Sequence, residues 1–443
     1  MGKAGRIYDN VHGYINLDEG EFDLVTSPTF QRLHWIKQLG PLHIVFPSAQ
    51  HSRFSHSLGV FHIVEKMIKH LKKTEKVGLP NKISESQEKK LRFAALLHDV
   101  GHVPLSHVGE KVLENTYVVG EDRKHLDVFD KTKPMDWKKL FEPWVGPSSD
   151  LHECLSAQIV LHDEEIDKAL AKTVRDKNSR KIMKEDIAKI ILGIAADDKS
   201  PFSVLLHSEL DADRLDWLLR DSSFTGVGYG HIELDYIISR LGVITDEEGQ
   251  AHLCVEDKGL HAVEHYLLSR FFLRRQVVCH RRVRLVDLLF KEVMEYLTVE
   301  RNGNGRIPDL REIVNCIKDA SSVDEKKRRE MVHKFYGFTD ALIINAMRQL
   351  HDELDKIVRT RTDCGPQLTG EEKRQEYIND CIKMIMDGEI PEPVEKTHQR
   401  LVAVAKDVSK SYAWEMEQEA KRIARQVAGE LEISELRIKA DVR

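Results

Sequence analysis

The sequence predicts a mainly α-helical fold carrying a few short β-hairpins, on three observations. Apolar residues recur at helical spacing along most of the chain, alternating strand patterns are confined to two short stretches, and capping residues punctuate the helical runs. The 443 residues suffice for one large core with an appended lobe, or for two domains.

Taken in order, "RIYDNVHGYINL" alternates as a small hairpin would. "HSLGVFHIVEKMIKHL" places Val60, Val64, Met67 and Leu71 on one helical face. "SQEKKLRFAALLHDVGH" becomes almost wholly apolar before His98, the mark of a buried helix. Pro104 disfavours helical geometry at Val103, so this helix should stop between Val100 and Val103, and Ser106 is the expected cap of "HVGEKVLEN". "SDLHECLSAQIVLHDEEID" opens on the capping candidates Ser149 and Asp150 and continues through Leu151, Leu155 and Ile159.

"HSELDADRLDWLLRDSSFTGVGYG" reads as one helix closed by a glycine-rich loop. Asp213, Trp217 and Arg220 share one of its faces, Leu215, Leu218 and Leu219 point toward a core, and Arg220 is expected to be a structural ion-pair partner. "LGVITDEEGQAHLCVED" is two short strands around a Glu-Glu-Gly turn. The polar turn "ERNGNGRIPD" near Asn302 is the expected boundary between a core of residues 1–301 and a charged helical C-terminal region, residues 302–443, packed on the core or used in subunit contacts. Runs such as "DEKKRREM" and "EMEQEAKRIARQ" read as solvated helix faces.

Apolar residues at 41% and charged residues at 32% describe a soluble globular chain. A formal charge of −6 gives no support to a generally basic nucleic-acid binder, although it allows a local positive pocket. The six cysteines show no CxxC pair, as in a reduced protein with free thiols. No stretch approaches the roughly 20 apolar residues of a membrane span, and "MGKAGRIYDN" carries no apolar signal segment. The cytoplasm is the expected location.

The densest chemistry lies in "LLHDVGHVPLSH", where His98 and Asp99 adjoin and His102 and His107 follow. Neighbouring helical residues diverge by about 100°, so the pair alone cannot enclose an ion. At a helix end, however, both reach one point beside the axis, and other helices must bring the remaining ligands. His56 in "HSRFSHSLG" and Asp213 in "ELDADRLDWLLRD" are candidates. Two imidazoles and two carboxylates suit Mn, Fe, Co, Ni or Zn, and Mg less readily. Open coordination positions would bind water and lower its pKa. Among 22 histidines, a His-Asp pair is equally an ordinary capping or core feature, so spacing alone does not choose.

The ordered series "HSRFSHSLGV", "LLHDVGHVPLSH", "LHE" and "DADRLDWLLRDSSFTG" resembles the HD superfamily of metal-dependent phosphohydrolases, nearest its deoxynucleoside triphosphate triphosphohydrolase branch. The resemblance runs from about Ile7 to about Val286. It implies a helical HD core with His56, His98, Asp99 and Asp213 as ligands of a divalent metal ion. It further implies catalytic surroundings of His102, His107, His152 and Glu153. There His107 and His152 transfer protons, Glu153 orients or tunes His152, and His102 donates to a phosphate oxygen.

Arg53, Arg214 and Arg270 match basic positions of the family's substrate pocket, where guanidinium forks suit phosphate oxygens. Gln38, Leu39 and Asp221 match positions near the sugar and base, with Gln38 and Asp221 set to bond the 3′-hydroxyl. Trp217 stands in place of the family's usual tyrosine and can stack on the sugar. Val278 and Cys279 replace a tyrosine-glutamine pair beside the base. Gln31 is kept, but Thr26 and His34 occupy the positions that would read a guanine activator.

The function implied is hydrolysis of (deoxy)nucleoside triphosphates at the α-phosphorus to nucleoside and triphosphate, by a homo-oligomer open to a nucleotide effector. Two alternatives keep the residues. One is a nucleotide phosphomonoesterase or signalling-nucleotide hydrolase, and the other a nucleotide-binding regulatory protein with little turnover.

Overall fold

The N-terminal hairpin forms where the alternation places it. In the computed structural model β1 (Gly5–Asp9) pairs antiparallel with β2 (Gly13–Leu17), Gly5 opposite Leu17 and Asp9 opposite Gly13. Asp9 Oδ1 accepts the N–H groups of Val11 and His12 at 3.0 and 2.9 Å, and Gly13 takes a φ of 73° that closes the turn. Ile15 and Leu17 are buried, while Tyr8 and Tyr14 meet edge to face on the solvent side. The structure describes residues 5–73, 83–116, 137–146, 149–194, 201–245, 251–298, 306–318, 335–360 and 370–390.

Helices follow. They are α1 (Glu19–Thr26), α2 (Pro28–Gln31), α3 (Arg53–Lys73), α4 (Glu85–Leu97) and α5 (His107–Thr116). Next come α6 (Leu151–His162), α7 (Glu164–Ala171), α8 (Lys177–Ile191), α9 (Ala212–Thr225) and α10 (Leu234–Ser239). The second hairpin, β3 (Leu241–Thr245) with β4 (Ala251–Val255), precedes α11 (Leu260–Leu273) and α12 (Arg281–Thr298). The C-terminal region adds α13 (Leu310–Lys318), α14 (Asp340–Thr360) and α15 (Gly370–Asp387). The mainly α class with two small hairpins is therefore the observed one.

Three helices that matter for chemistry pack side by side, α3 lying against both α4 and α9. Val60, Ile63, Val64 and Met67 of α3 meet a core that includes Phe93 and Leu96 of α4 and Leu215 and Leu218 of α9. Burying each such side chain stabilises the fold by about 1.5–3 kcal/mol. Helices α6 and α4 pack on α8, and α12 on α5, α14 and α15.

Three boundaries differ from the sequence expectation. Helix α4 ends at Leu97, short of Val100–Val103, because tight turns take over: Val100 N–H bonds Leu97 O and His102 N–H bonds Asp99 O. Ser106 precedes α5 but does not cap it through its side chain. Its hydroxyl donates to Lys37 O at 2.7 Å and accepts from Arg53 Nε, and its φ of 51° is left-handed rather than extended. Helix α9 begins only at Ala212, capped by Asp211, so "HSEL" lies outside it. Its end is as expected, at Gly226 with a φ of 75°.

The C-terminal region is tied to the first helices by buried polar contacts. Asp340 accepts the N–H groups of Lys37 and Leu105 at 2.9 and 2.8 Å, Arg32 Nε reaches Phe338 O, and Tyr336 donates to Asp163. Most of the "ERNGNGRIPD" turn, the Glu-Glu-Gly turn and the two charge runs lie outside the described residues. Cys154, Cys254, Cys279 and Cys381 are free thiols. Among the described residues no helix is long and apolar enough to cross a membrane. Helix α11 leaves Leu267, Leu268 and Phe271 exposed.

Candidate metal centre

Everything in the site hangs on the turn that ends α4, and buried groups from two places hold it. Gly101 is needed because a Cβ there would lie 2.3 Å from Ser156 N and 2.4 Å from His152 O, so only glycine lets α6 approach. Ser156 Oγ accepts the Gly101 N–H at 2.8 Å and donates to His98 O at 2.6 Å. Arg32, buried and pushed down to about 9 by that burial, donates to Val100 O and His102 O at 3.2 and 2.7 Å. Ser156→Ala leaves a buried N–H and a carbonyl short of a partner. We expect a loss of about 1–3 kcal/mol, read as a lower urea midpoint at an unchanged slope.

This turn delivers His98 and Asp99 against the first turn of α3 and the start of α9. His56 Nε2 lies 2.9 Å from Asp213 Oδ1 and 3.7 Å from Asp99 Oδ2. His98 Nε2 lies 3.4 Å from Asp99 Oδ1 and 4.0 Å from Asp213 Oδ1. Two imidazole nitrogens and two carboxylates thus converge from three helix ends. Ligand atoms of His56, His98 and Asp99 are all within 4.8 Å of one another, close enough to share one ion.

The donor chemistry fits a divalent cation. His98 Nδ1 bonds Ala95 O at 2.8 Å, so it carries the proton and Nε2 presents a lone pair; that Nε2 is buried with no hydrogen-bond partner. Burial opposes the charge on His56, yet its bonds to Asp213 and Asp216 lift it to about 10, a measure of the negative potential collected there. Burial likewise opposes ionisation of Asp99, but Arg53, His98 and His102 hold it well below the usual carboxylate range. Asp213 is also lowered, against burial, chiefly by its bond to His56.

Behind the ligands stands Asp216, which the sequence reading passed over. Its Oδ2 lies 2.7 Å from His56 Nδ1, fixing the ring so that Nε2 faces the carboxylates. Its spacing of one helical turn from Asp213 was the available signal. Arg220 bonds Asp216 and Asp9 and is wholly buried, matching the expected structural ion pair.

A second cluster adjoins the first. The His102 and His152 rings stack 4.0 Å apart, and His107 lies edge-on to both. One carboxylate serves all three: Glu110 Oε1 is 2.6 Å from His102 Nδ1, and its oxygens lie 3.1 Å from His107 Nδ1 and 3.3 Å from His152 Nδ1. Burial opposes charge on Glu110, but these imidazoles hold it well below its ordinary value. Burial also opposes charge on His152, and Glu110 overrides it, lifting His152 to about 9. Burial and Arg53 push His102 down to about 4.

Glu153 acts on His152 through its charge, which adds to the pull that raises the imidazole's pKa, and not through a hydrogen bond. Its Oε2 accepts the Asp150 N–H at 2.9 Å, as a helix cap, and burial raises its pKa. The carboxylate at His152 is Glu110. The i, i+3 spacing of His107 and Glu110 within "HVGE" was the sequence signal for it.

The residues expected around a substrate divide. Arg53 is brought to the cluster but is buried, donating to Asp99 Oδ2 at 2.7 Å, to Ser106 Oγ and to Gln38 O. Arg214 bonds Asp211, and Arg270 bonds Glu209 at 2.7 Å. All three guanidinium groups expected to face phosphate are thus engaged by carboxylates of the chain itself. Gln38 and Asp221 are buried with Gln38 Oε1 and Asp221 Oδ2 unpartnered, while Asp221 Oδ1 binds His51 Nε2 at 2.7 Å. Leu39 and Trp217 are half-buried against the core. A cleft opens over the two clusters, lined by His98, His152, Glu153, Asp213, Leu206 and His207. His207, within a stretch read as plain helix, was not anticipated.

Comparison with known proteins gives the family and the fold. Residues 53–218 match the HD domain family. The protein YwfO of Bacillus subtilis is 34% identical over 65% of this chain and 54% of its own length. The deoxynucleoside triphosphate triphosphohydrolase SAMHD1 homolog of Dictyostelium discoideum is 25% identical over 76% of this chain and 60% of its own. The chain therefore spans little more than half the length of these relatives. A crystal structure of an Aquifex aeolicus protein superposes with a TM-score of 0.57 at 24% identity, covering 92% of this chain and 84% of that one, which bears on the fold alone.

Proposed function

Because the chain belongs to the HD superfamily, we propose that it is a metal-dependent phosphohydrolase of nucleotides. The substrate class we infer is (deoxy)nucleoside triphosphates, cleaved at the α-phosphorus to nucleoside and triphosphate. The observation that carries the reading is the juxtaposition of two clusters across one turn. His56, His98, Asp99 and Asp213 converge on one point, and the proton-bearing His152 lies beside them on Glu110. The Dictyostelium relative's name supports the choice of substrate.

A divalent ion bound by His56, His98, Asp99 and Asp213 would act as a Lewis acid toward a phosphoryl oxygen and make water a competent nucleophile. The chain's own residues do the rest. Water oxygen joins the α-phosphorus and gives up a proton to solvent, the bond from phosphorus to the 5′-oxygen breaks, and that oxygen takes a proton. His152, charged across neutral pH and lining the cleft, is placed to give it, with His107 at the exposed rim as the second proton carrier. His102, neutral and with Nδ1 held by Glu110, would donate to a phosphate oxygen only after taking a proton on Nε2. Arg53 neutralises the far side of Asp99, and Arg214 and Arg270 reach phosphate by exchanging Asp211 and Glu209 for it. Gln38 Oε1 and Asp221 Oδ2, buried and unpartnered, accept from a sugar hydroxyl, while Leu39 and Trp217 wall the sugar and base. A homo-oligomer and a nucleotide effector belong to this reading by resemblance.

Product analysis tests it. Incubation of the protein with mixed ribo- and deoxyribonucleotides and several divalent metals should yield inorganic triphosphate and nucleoside, detected by mass spectrometry. Orthophosphate as the sole phosphate product would replace this reading by a phosphomonoesterase. Binding of nucleotide without turnover under every metal would replace it by a regulatory one.

A further inference from the structure

We propose that the N-terminal hairpin braces the metal centre, with His12 as a positioning residue that fixes the ligand His56 through Asp216. The proposal deepens the reading of the same site and rests on it.

The brace is continuous in the structure. Asp9 Oδ1 accepts the Val11 and His12 N–H groups, shaping a turn that sends the His12 ring inward until it is 4% exposed. His12 Nε2 reaches Asp216 Oδ1 at 2.6 Å, and Asp216 Oδ2 reaches His56 Nδ1 at 2.7 Å. Arg220 clamps the same carboxylate, with Nε 2.8 Å from Oδ2 and Nη2 3.1 Å from Oδ1, and its Nη1 returns to Asp9 Oδ2 at 2.8 Å. Hairpin and α9 thus close a ring around Asp216.

A carboxylate only accepts hydrogen bonds, so Asp216 requires the proton on His56 Nδ1, which leaves Nε2 as the nitrogen that faces Asp99 and Asp213 and would bind an ion on giving up its proton. Two of the three donors to Asp216 lie outside α3. They prevent the carboxylate from rotating with the His56 ring, and so set the ring's direction. The space for this is built into the sequence. A Cβ on Gly59, one turn after His56, would lie 1.9 Å from Asp216 Oδ1 and 2.5 Å from Arg220 Nη2. The glycine of "HSLG" is therefore what allows the pair to pack behind the ligand.

The test compares three proteins by competition of Mn²⁺ against a chromogenic chelator, with thermal unfolding of the metal-free forms alongside. His12→Met removes the donor at similar bulk, and His12→Gln keeps an N–H within reach of Asp216. Affinity for Mn²⁺ should fall about 10–100-fold in His12→Met, the usual effect of losing a partner behind a ligand, and recover in His12→Gln. Equal affinity in His12→Met and the parent overturns the brace. An equal loss in both variants tracking an equal fall in melting temperature also overturns it, since packing alone would explain that. A parent that binds no Mn²⁺ overturns instead the metal centre on which the brace rests.

Discussion

His98→Ala should lose the divalent cation and hydrolysis together while the fold survives. His98 Nε2 is buried with no hydrogen-bond partner among the described residues, the oxygen of its fellow ligand Asp99 standing 3.4 Å away, so its contribution belongs to an ion rather than to folding. Its one internal bond, Nδ1 to Ala95 O, stabilises by about 1 kcal/mol, which is the loss expected in stability. Losing the cation's electrostatic support removes several kcal/mol from the transition state, so turnover should fall by roughly a thousandfold or more. Metal content by plasma mass spectrometry and initial rates on a nucleoside triphosphate check both halves. Full metal occupancy in the variant would place the ion elsewhere. Asp99→Ala is a poorer probe, because it strands the buried Arg53 guanidinium, a defect that costs about 3–5 kcal/mol by itself.

That contrast shows how much of the site was legible in the sequence. His98, Asp99, His56 and Asp213 stood out because an ion needs those residue types, and their positions in an ordered motif series brought them together. The groups that hold them are separated from them in the chain and chemically plain. Nothing in "FQRLHW" marks Arg32 as the donor to the Val100 and His102 carbonyls, and nothing in "LHECLSAQ" marks Ser156 as the bridge to Gly101. Leu105 and Ser106, with φ of 62° and 51°, are left-handed without being glycine, a conformation costing about 1–3 kcal/mol each. It persists because Asp340, hundreds of residues away in sequence, accepts the Leu105 N–H, and Arg53 with Lys37 O engages the Ser106 hydroxyl. Local propensity cannot report such compensation.

The same reasoning separates Glu153 from Glu110. Glu153 came with the family resemblance, but adjacent helical residues diverge, and its carboxylate turns back to the Asp150 N–H, leaving it to act on His152 by charge alone. Glu110 is one turn along α5 from His107 and faces α6, where His152 waits. Contact across helices decided the matter, and period-based reading applied to "HVGE" would have pointed the right way.

Glu110→Gln should therefore be the most damaging isosteric change in the second cluster. The variant keeps the shape but removes the charge that outweighs burial and holds His152 at about 9. The sign follows from that direction. A histidine raised above its unfolded value of about 6.5 contributes stability that is fully present below that pH and is lost as pH rises through about 9. The proton-donating form that catalysis uses is populated over the same window. The parent's rate should accordingly hold through neutral pH and fall above about 9, whereas in Glu110→Gln the high-pH limb moves down toward or below the ordinary histidine range. At slightly alkaline pH the turnover number should drop by about 10²–10⁴, the usual contribution of a positioned acid, while metal content stays at the parent's level because Glu110 is outside the ligand set. The pH dependence of kcat, measured on metal-loaded parent and variant, reads this directly. An unmoved alkaline limb would show that His152 is not the proton donor held by Glu110. A loss of metal in the variant would show that Glu110 and its imidazoles serve the ion instead of the leaving group.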